Sequence, residues 1–418
     1  MANTSRAGVG NKLVCQADPL SMLKRIITVF LGDGFSKAIN IGVSLYLISF
    51  LTVDQYAYFT VVFTSIMMSY QVACGLIERL YITDHSNFVI ARRSRLLIAL
   101  PIGGIFFVYT VAVLESKAGL VFLAGYSAFI CFQILRIVAQ KDENFRRFVI
   151  LDVLKNSIWA ALTAALVFLG AQTADYYLMA LVFSAWVVVL CVSYMACSVS
   201  RNELSGMPGR DGIISSFSYL MMRADIVFYS ILTGCMPYIA LVLASFVGAA
   251  ETVATYGVAM RYQALFSMVV YAINVVLLPR MASGSIEEVK HIIGVFYKKI
   301  PYALLASILA IGIVWFAMPL LGAGKYSGGQ LAFVLFAGCS MCSLVSAPAA
   351  TYLLALRQYR NMLKSICLGL LAIVIALPIM LVFSEFYGVV LACAFGYLCS
   401  AGALILYMKK ITHENIDN

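Results

Sequence analysis

GDGFSKAINIGVSLYLISFLTVDQYAYFTVVFTSIMMSYQVACGLIERLY (32–81) is the stretch whose reading decides the fold. It holds two apolar runs, about 26–50 and 55–77, separated by only four residues, 51–54. A helix needs ~20 apolar residues to cross a hydrocarbon core of roughly 30 Å, and each run meets that length. A four-residue connection returns the chain at once, so the pair reads as a helical hairpin. Its turn holds Asp54 and no Lys or Arg, whereas the second run leads into Arg79, Arg92, Arg93 and Arg95. Cytoplasmic connections retain Lys and Arg, so the turn faces outward and the basic end faces the cytoplasm.

The same alternation continues along the whole chain. About twelve apolar stretches follow one another, at 26–50, 55–77, 96–114, 119–139, 148–169, 176–199, 213–247, 255–279, 300–321, 329–355, 362–383 and 387–408. Of the 29 Lys and Arg, 24 fall in the two tails, in every second connection or toward the span ends that adjoin it. The outward connections (51–54, 115–118, 170–175, 248–254, 322–328 and 384–386) hold only Lys117 and Lys325. Both termini are therefore expected on the cytoplasmic side. Hydrophobic residues make up 63% of the chain and charged residues 11%, against roughly 25% charged in a soluble domain. Apolar runs of this length exclude a β-barrel, whose strands take about ten residues of alternating polarity. The net charge of +10 follows from the orientation signal, with acidic lipid headgroups as its partner and no nucleic acid.

The expected architecture is an all-α integral membrane protein of about twelve transmembrane helices in two six-helix lobes around a central polar cavity. The parts are a cytoplasmic tail (1–25), a first lobe (26–199), a connection (200–212), a second lobe (213–408) and a closing tail (409–418). The connection RNELSGMPGRDG, with its Pro and Gly, marks the boundary, and duplicated plans of this kind are common in transporters. The first apolar run is too long for a cleaved signal and is expected to stay as an anchor. Proline recurs within spans at Pro101, Pro237, Pro319, Pro348 and Pro378, and Gly234 with Pro237 predicts a bend in the overlong stretch 213–247. None of the eleven cysteines lies in an outward connection, so no disulfide framework is expected, and Cys339 with Cys342 reads as packing.

Apart from those 24 and the two outward lysines, three cations remain within apolar stretches: Lys37, Lys155 and Arg261. Ionisable residues are costly there and face partners or water-filled cavities. Asp33, Lys37, Asn40 and Ser44 form one helical stripe, and Asp152, Lys155, Asn156, Trp159 and Thr163 another. Thr64, Gln71 and Glu78 mark the second span, Gln133, Arg136 and Gln140 the fourth, and Arg261 with Asn274 the eighth. Two readings stay open: Asp33–Lys37 and Asp152–Lys155 as self-neutralising structural pairs, or stripes lining an aqueous path for a polar, anionic substrate. His85, His291 and His413 all lie in cytoplasmic connections, which leaves no imidazole relay within the membrane. There is no GxxxxGK[ST] loop, no HExxH and no outward domain, so catalysis, a cofactor and nucleotide hydrolysis are not expected. Energy would come from a gradient, the membrane potential or mass action.

The order of motifs resembles the bacterial oligosaccharide (O-antigen) flippases of the multidrug/oligosaccharidyl-lipid/polysaccharide exporter superfamily. The resemblance rests on GDGFSKAINIGVSLYLISFLTVDQYAYF (32–59), GLIERLY (75–81), GAAETVATYGVAMRYQALFSMVVYAINVVLLPRMA (248–282), LLGAGKYSGGQLAFVLF (320–336), and YRNMLKSI with FYGVVLACAFGYLCSAGALILYMKK near the end (359–410). It implies a protein of the bacterial inner membrane that moves a polyprenyl-pyrophosphate-linked oligosaccharide to the outer leaflet by alternating access. A polysaccharide polymerase machinery would be its partner and H+ or Na+ its coupling ion. Substrate binding then falls to Lys37, Lys155, Arg261, Arg136, Asn40, Gln71, Gln133, Asn156 and Asn274, and charge pairing or ion coupling to Asp33 and Asp152. The chain departs from the family where Pro237-Tyr238-Ile239-Ala240 replaces a charged pair, which leaves Arg261 as the deep cation of the second half. An ion-coupled drug or metabolite exporter of the same superfamily is the alternative, and a membrane glycan polymerase or ligase a more distant one.

Overall fold

A computed structural model describes residues 19–83, 88–141, 144–196, 218, 220–283, 286–321 and 328–414. The inter-lobe connection 200–212, most of the first tail and the side chains of Asp33 and Asn274 lie outside the described residues. The first lobe comprises α1 (Pro19–Phe50), α2 (Val53–Thr83), α3 (Phe88–Val113), α4 (Ser116–Lys141), α5 (Phe145–Phe168) and α6 (Ala174–Ala196). The second comprises α7 (Ala224–Cys235), α8 (Ile239–Val247), α9 (Ala250–Ser283), α10 (Ile286–Leu321), α11 (Gly329–Ala355), α12 (Tyr359–Phe383) and α13 (Gly388–Glu414). Among the described residues nine helices are long and apolar enough to cross a membrane. Two shorter apolar helical stretches, Gly34–Phe50 and Ile98–Val113, belong to α1 and α3. The chain is a multi-pass helical membrane protein.

Helix pairing follows the lobes. In the first, α2 packs on α3 and α4, α1 on α5, and α6 on α4 and α5. In the second, α12 packs on α13, and α11 on α9 and α13. The lobes meet where α9 lies against α1 and α2, and where α7 lies against α2. Helix α10 has few buried residues and rests mainly on α11. Its Tyr302, Leu309 and Phe316 face outward, the pattern of a helix solvated by lipid.

The overlong seventh stretch breaks as Gly234 and Pro237 predict. A 3-10 turn, Met236–Tyr238, joins α7 to α8 because Pro237 supplies no backbone donor. Gly234 has a second role in the same place. A Cβ there would sit 2.9 Å from the Cα of Val72 on α2, so the lobes touch backbone to backbone. At the outward end Gln55 accepts from the Ala174 N–H at 2.9 Å, and Tyr58 donates to Asp175 at 2.8 Å. These two bonds fix α2 to the start of α6 and satisfy an exposed helix end.

Several helices run past the apolar stretches. Lys290, Lys298 and Lys299, expected in a connection, lie on α10, and Lys409 and Lys410 lie on α13. Hydropathy marks the edge of the membrane, whereas backbone hydrogen bonding continues into water.

Candidate functional site: a cationic cavity between the lobes

A cavity of about 670 Å³ lies between the lobes. On α2 its lining runs from Thr60 to Glu78, and α12 contributes Met362 and Ser365 near its start. With the orientation set by the basic connections, the cavity occupies the cytoplasmic half and is closed toward the outside. The closure has a structural basis. Gly257 of α9 meets Thr60 of α2 so closely that a Cβ there would sit 2.6 Å from the Thr60 methyl. Tyr109 of α3 and Ser245 of α8 share a hydrogen bond at 2.9 Å, with the Phe246 ring 5.7 Å from that of Tyr109.

One buried charge cluster forms the first-lobe wall. Asp152 and Lys155 lie one turn apart on α5, with Oδ1 3.4 Å from Nζ. Arg136 of α4 places Nη2 3.6 Å from Asp152 Oδ2 and donates through Nη1 to Gln133 Oε1 at 3.3 Å. All three charged side chains are buried. Lys37 of α1 adds its field to the same carboxylate. Asn156 donates to the Ser36 carbonyl at 3.0 Å and to its hydroxyl at 2.7 Å, which holds Lys37 in register with α5. One carboxylate therefore faces several cations, and aromatic faces lie against two of them. The Arg136 guanidinium lies 4.2 Å from the Phe148 ring centroid, and Lys155 lies 5.0 and 4.8 Å from Phe129 and Phe132. The ring quadrupole attracts cations, by about 2 kcal/mol when both are desolvated.

Arg261 stands apart. It stacks across the lobe boundary, 3.7 Å from the Phe63 centroid and 5.9 Å from that of Phe59, and it reaches the Tyr56 hydroxyl. Its buried Nε has no hydrogen-bond partner, and it has no acidic partner among the described residues.

The structure brings Lys37, Asn40, Gln71, Gln133, Arg136, Lys155, Asn156 and Arg261 to this one cavity, together with Asp152. Asp33 and Asn274 belong to α1 and α9, with side chains outside the described residues. Of the two readings of the stripes, pairing is present for Asp152, which meets both Arg136 and Lys155, and the same residues line the cavity. The second-lobe wall was not foreseen. It carries the hydroxyls of Ser230, Thr233, Ser343 and Ser346, and Gln263 donates to Ser340 at 2.8 Å. The spacing of Ser340, Ser343 and Ser346 at every third residue was the available signal.

Solved structures with the same architecture are MATE transporters. The eukaryotic MATE transporter AtDTX14 superposes with a TM-score of 0.63 at 14% identity, covering 93% of this chain and 95% of its own. An outward-facing multidrug resistance MATE family transporter of the MOP superfamily gives 0.65 at 12%, covering 96% and 97%. A mutant of the Vibrio cholerae MATE transporter VcmN gives 0.63 at 16%, covering 94% and 98%. The chain has the MATE transporter fold. The expected two-lobe, all-helical layout is the layout of that fold. No protein-family model matches the chain, and no curated protein matches it.

Proposed function

We propose that this chain is a membrane exporter that works by alternating access and carries an anionic amphiphile, a lipid-linked oligosaccharide, from the cytoplasmic to the outer leaflet. The observation that carries this reading is the set of charges that line the cavity among the described residues: Lys37, Arg136, Lys155 and Arg261, with Glu78 and Asp152. Cations of this kind offset the cost of bringing a phosphate-bearing headgroup out of water, while a lipid tail stays among the helices' apolar faces. An inside-negative membrane favours the outward movement of anions by about 2.3 kcal/mol per charge per 100 mV. A cavity in the cytoplasmic half, closed on its outer side, fits the loading state of such a cycle. Asp152 is the counter-ion of Arg136 and Lys155 in this reading, so it orders the cations rather than titrating to drive transport.

The test is the combined variant Lys37→Ala, Lys155→Ala and Arg261→Ala, produced at normal level in the native host. Surface glycan is expected to fall to background, and wild-type surface glycan would sink the assignment. The likeness to a multidrug resistance MATE family transporter favours a second reading, an ion-coupled drug exporter. The net positive cavity weighs against it where the drug is a lipophilic cation. Drug susceptibility of the same strains separates the two.

A further inference from the structure

We propose that the second-lobe wall of the cavity is a subsite for an uncharged, polyhydroxylated group, carried on the same molecule whose anionic part meets the first lobe. This rests on the anionic-cargo reading above and narrows it. Among the described residues of the cavity lining, Arg261 is the cation that comes from the second lobe.

The second-lobe wall has a different chemistry. Thr233, Ser343 and Ser365 each donate their hydroxyl proton to a carbonyl of their own helix, at 2.6, 3.1 and 2.7 Å. What they offer the cavity is oxygen lone pairs, which suit the O–H donors of a neutral sugar. A carboxylate, itself only an acceptor, meets hydroxyls whose protons are already committed. Hydroxyls bonded this way can also be simple packing in an apolar helix. Ser230 distinguishes the two cases. It is 1% exposed, lines the same wall, and its Oγ has no hydrogen-bond partner. Buried polar atoms are nearly always satisfied, so an orphan on a residue of the cavity wall marks a partner that arrives with the ligand. Tyr238 and Tyr397 on this side add aromatic faces on which the C–H face of a sugar ring can pack.

The test uses the purified full-length chain and three soluble diphosphates, UDP, UDP-glucose and UDP-glucuronate; the terminal phosphate of UDP carries more negative charge than a diester, so tighter binding of UDP-glucose cannot come from phosphate charge. Calorimetric titration is expected to show UDP-glucose binding about tenfold tighter than UDP, the yield of one or two new hydrogen bonds. UDP-glucuronate is expected to bind no tighter than UDP. The variant Ser230→Ala, Thr233→Val, Ser343→Ala should lose the tenfold preference and keep UDP binding, while Lys155→Gln should weaken all three alike. Equal binding of the three by the wild type, or a preference for UDP-glucuronate, overturns this inference and leaves the anionic-cargo reading standing. Failure of every diphosphate to bind overturns both. If the triple variant loses UDP as well, the order of the three ligands on the wild type decides alone.

Discussion

The two walls of the cavity solve the problem of polarity inside a membrane in different ways. The first-lobe wall concentrates charge: Arg136, Asp152 and Lys155 within one buried cluster, backed by Phe129, Phe132 and Phe148. The second-lobe wall distributes weak polarity over hydroxyls that bond their own helices, and its one cation, Arg261, stacks on a ring of the other lobe. The difference teaches that charge in such a protein needs tertiary support, whereas a serine or threonine is supported by the helix that carries it.

The sharpest way to break that contrast is to remove the counter-ion. Asp152→Ala removes the carboxylate that both Arg136 and Lys155 face, and the penalty for breaking a buried pair is about 3–5 kcal/mol. A large fall in thermal midpoint in detergent is expected, with part of it recovered in Asp152→Ala, Arg136→Gln. An unchanged midpoint would mean that the cluster is hydrated rather than desolvated.

A second test lies where the walls meet. Gly257→Leu drives a side chain into Thr60, an overpacking of about 1–3 kcal/mol that acts only on the state closed to the outside. A cysteine at position 267 (Ser267→Cys) should then react faster with a membrane-impermeant maleimide added from the outer face. Unaltered labelling would show that the Gly257–Thr60 approach does not close the cavity. Arg261→Lys acts on the same boundary more gently. It keeps the charge and loses the planar stack on Phe63, worth about 0.5–2 kcal/mol, so a smaller rise in outer labelling is expected. The smallest effect belongs to the hydroxyl wall. Ser340→Ala removes one acceptor of Gln263, and a stability loss of about 1 kcal/mol or less should appear in the same thermal assay.

These contrasts also mark what the sequence could disclose. Topology was legible because Lys and Arg partition between connections, and α11 (Gly329–Ala355) begins and ends with its apolar run. The break at Met236–Tyr238 was legible because Pro237 has a local, unavoidable effect on its helix. The start of α10 was not, since Ile286 to Lys299 is helical without being apolar. In the site, Lys37, Lys155 and Arg261 stood out because a charge in an apolar run is expensive. Their aromatic partners did not, because Phe63 or Phe132 costs nothing in lipid and looks the same whether it faces a tail or a guanidinium. That Arg136 shares Asp152 with Lys155 depends on how α4 packs on α5, which a single sequence does not encode legibly.

The central claim is that the cavity accepts anions. Calorimetric titration of the purified wild-type chain with inorganic pyrophosphate and with tetraphenylphosphonium tests it most directly. The account predicts that pyrophosphate binds, that Lys155→Gln with Arg261→Gln weakens it at least tenfold, and that the phosphonium does not bind. Binding of the phosphonium with none of pyrophosphate would contradict it.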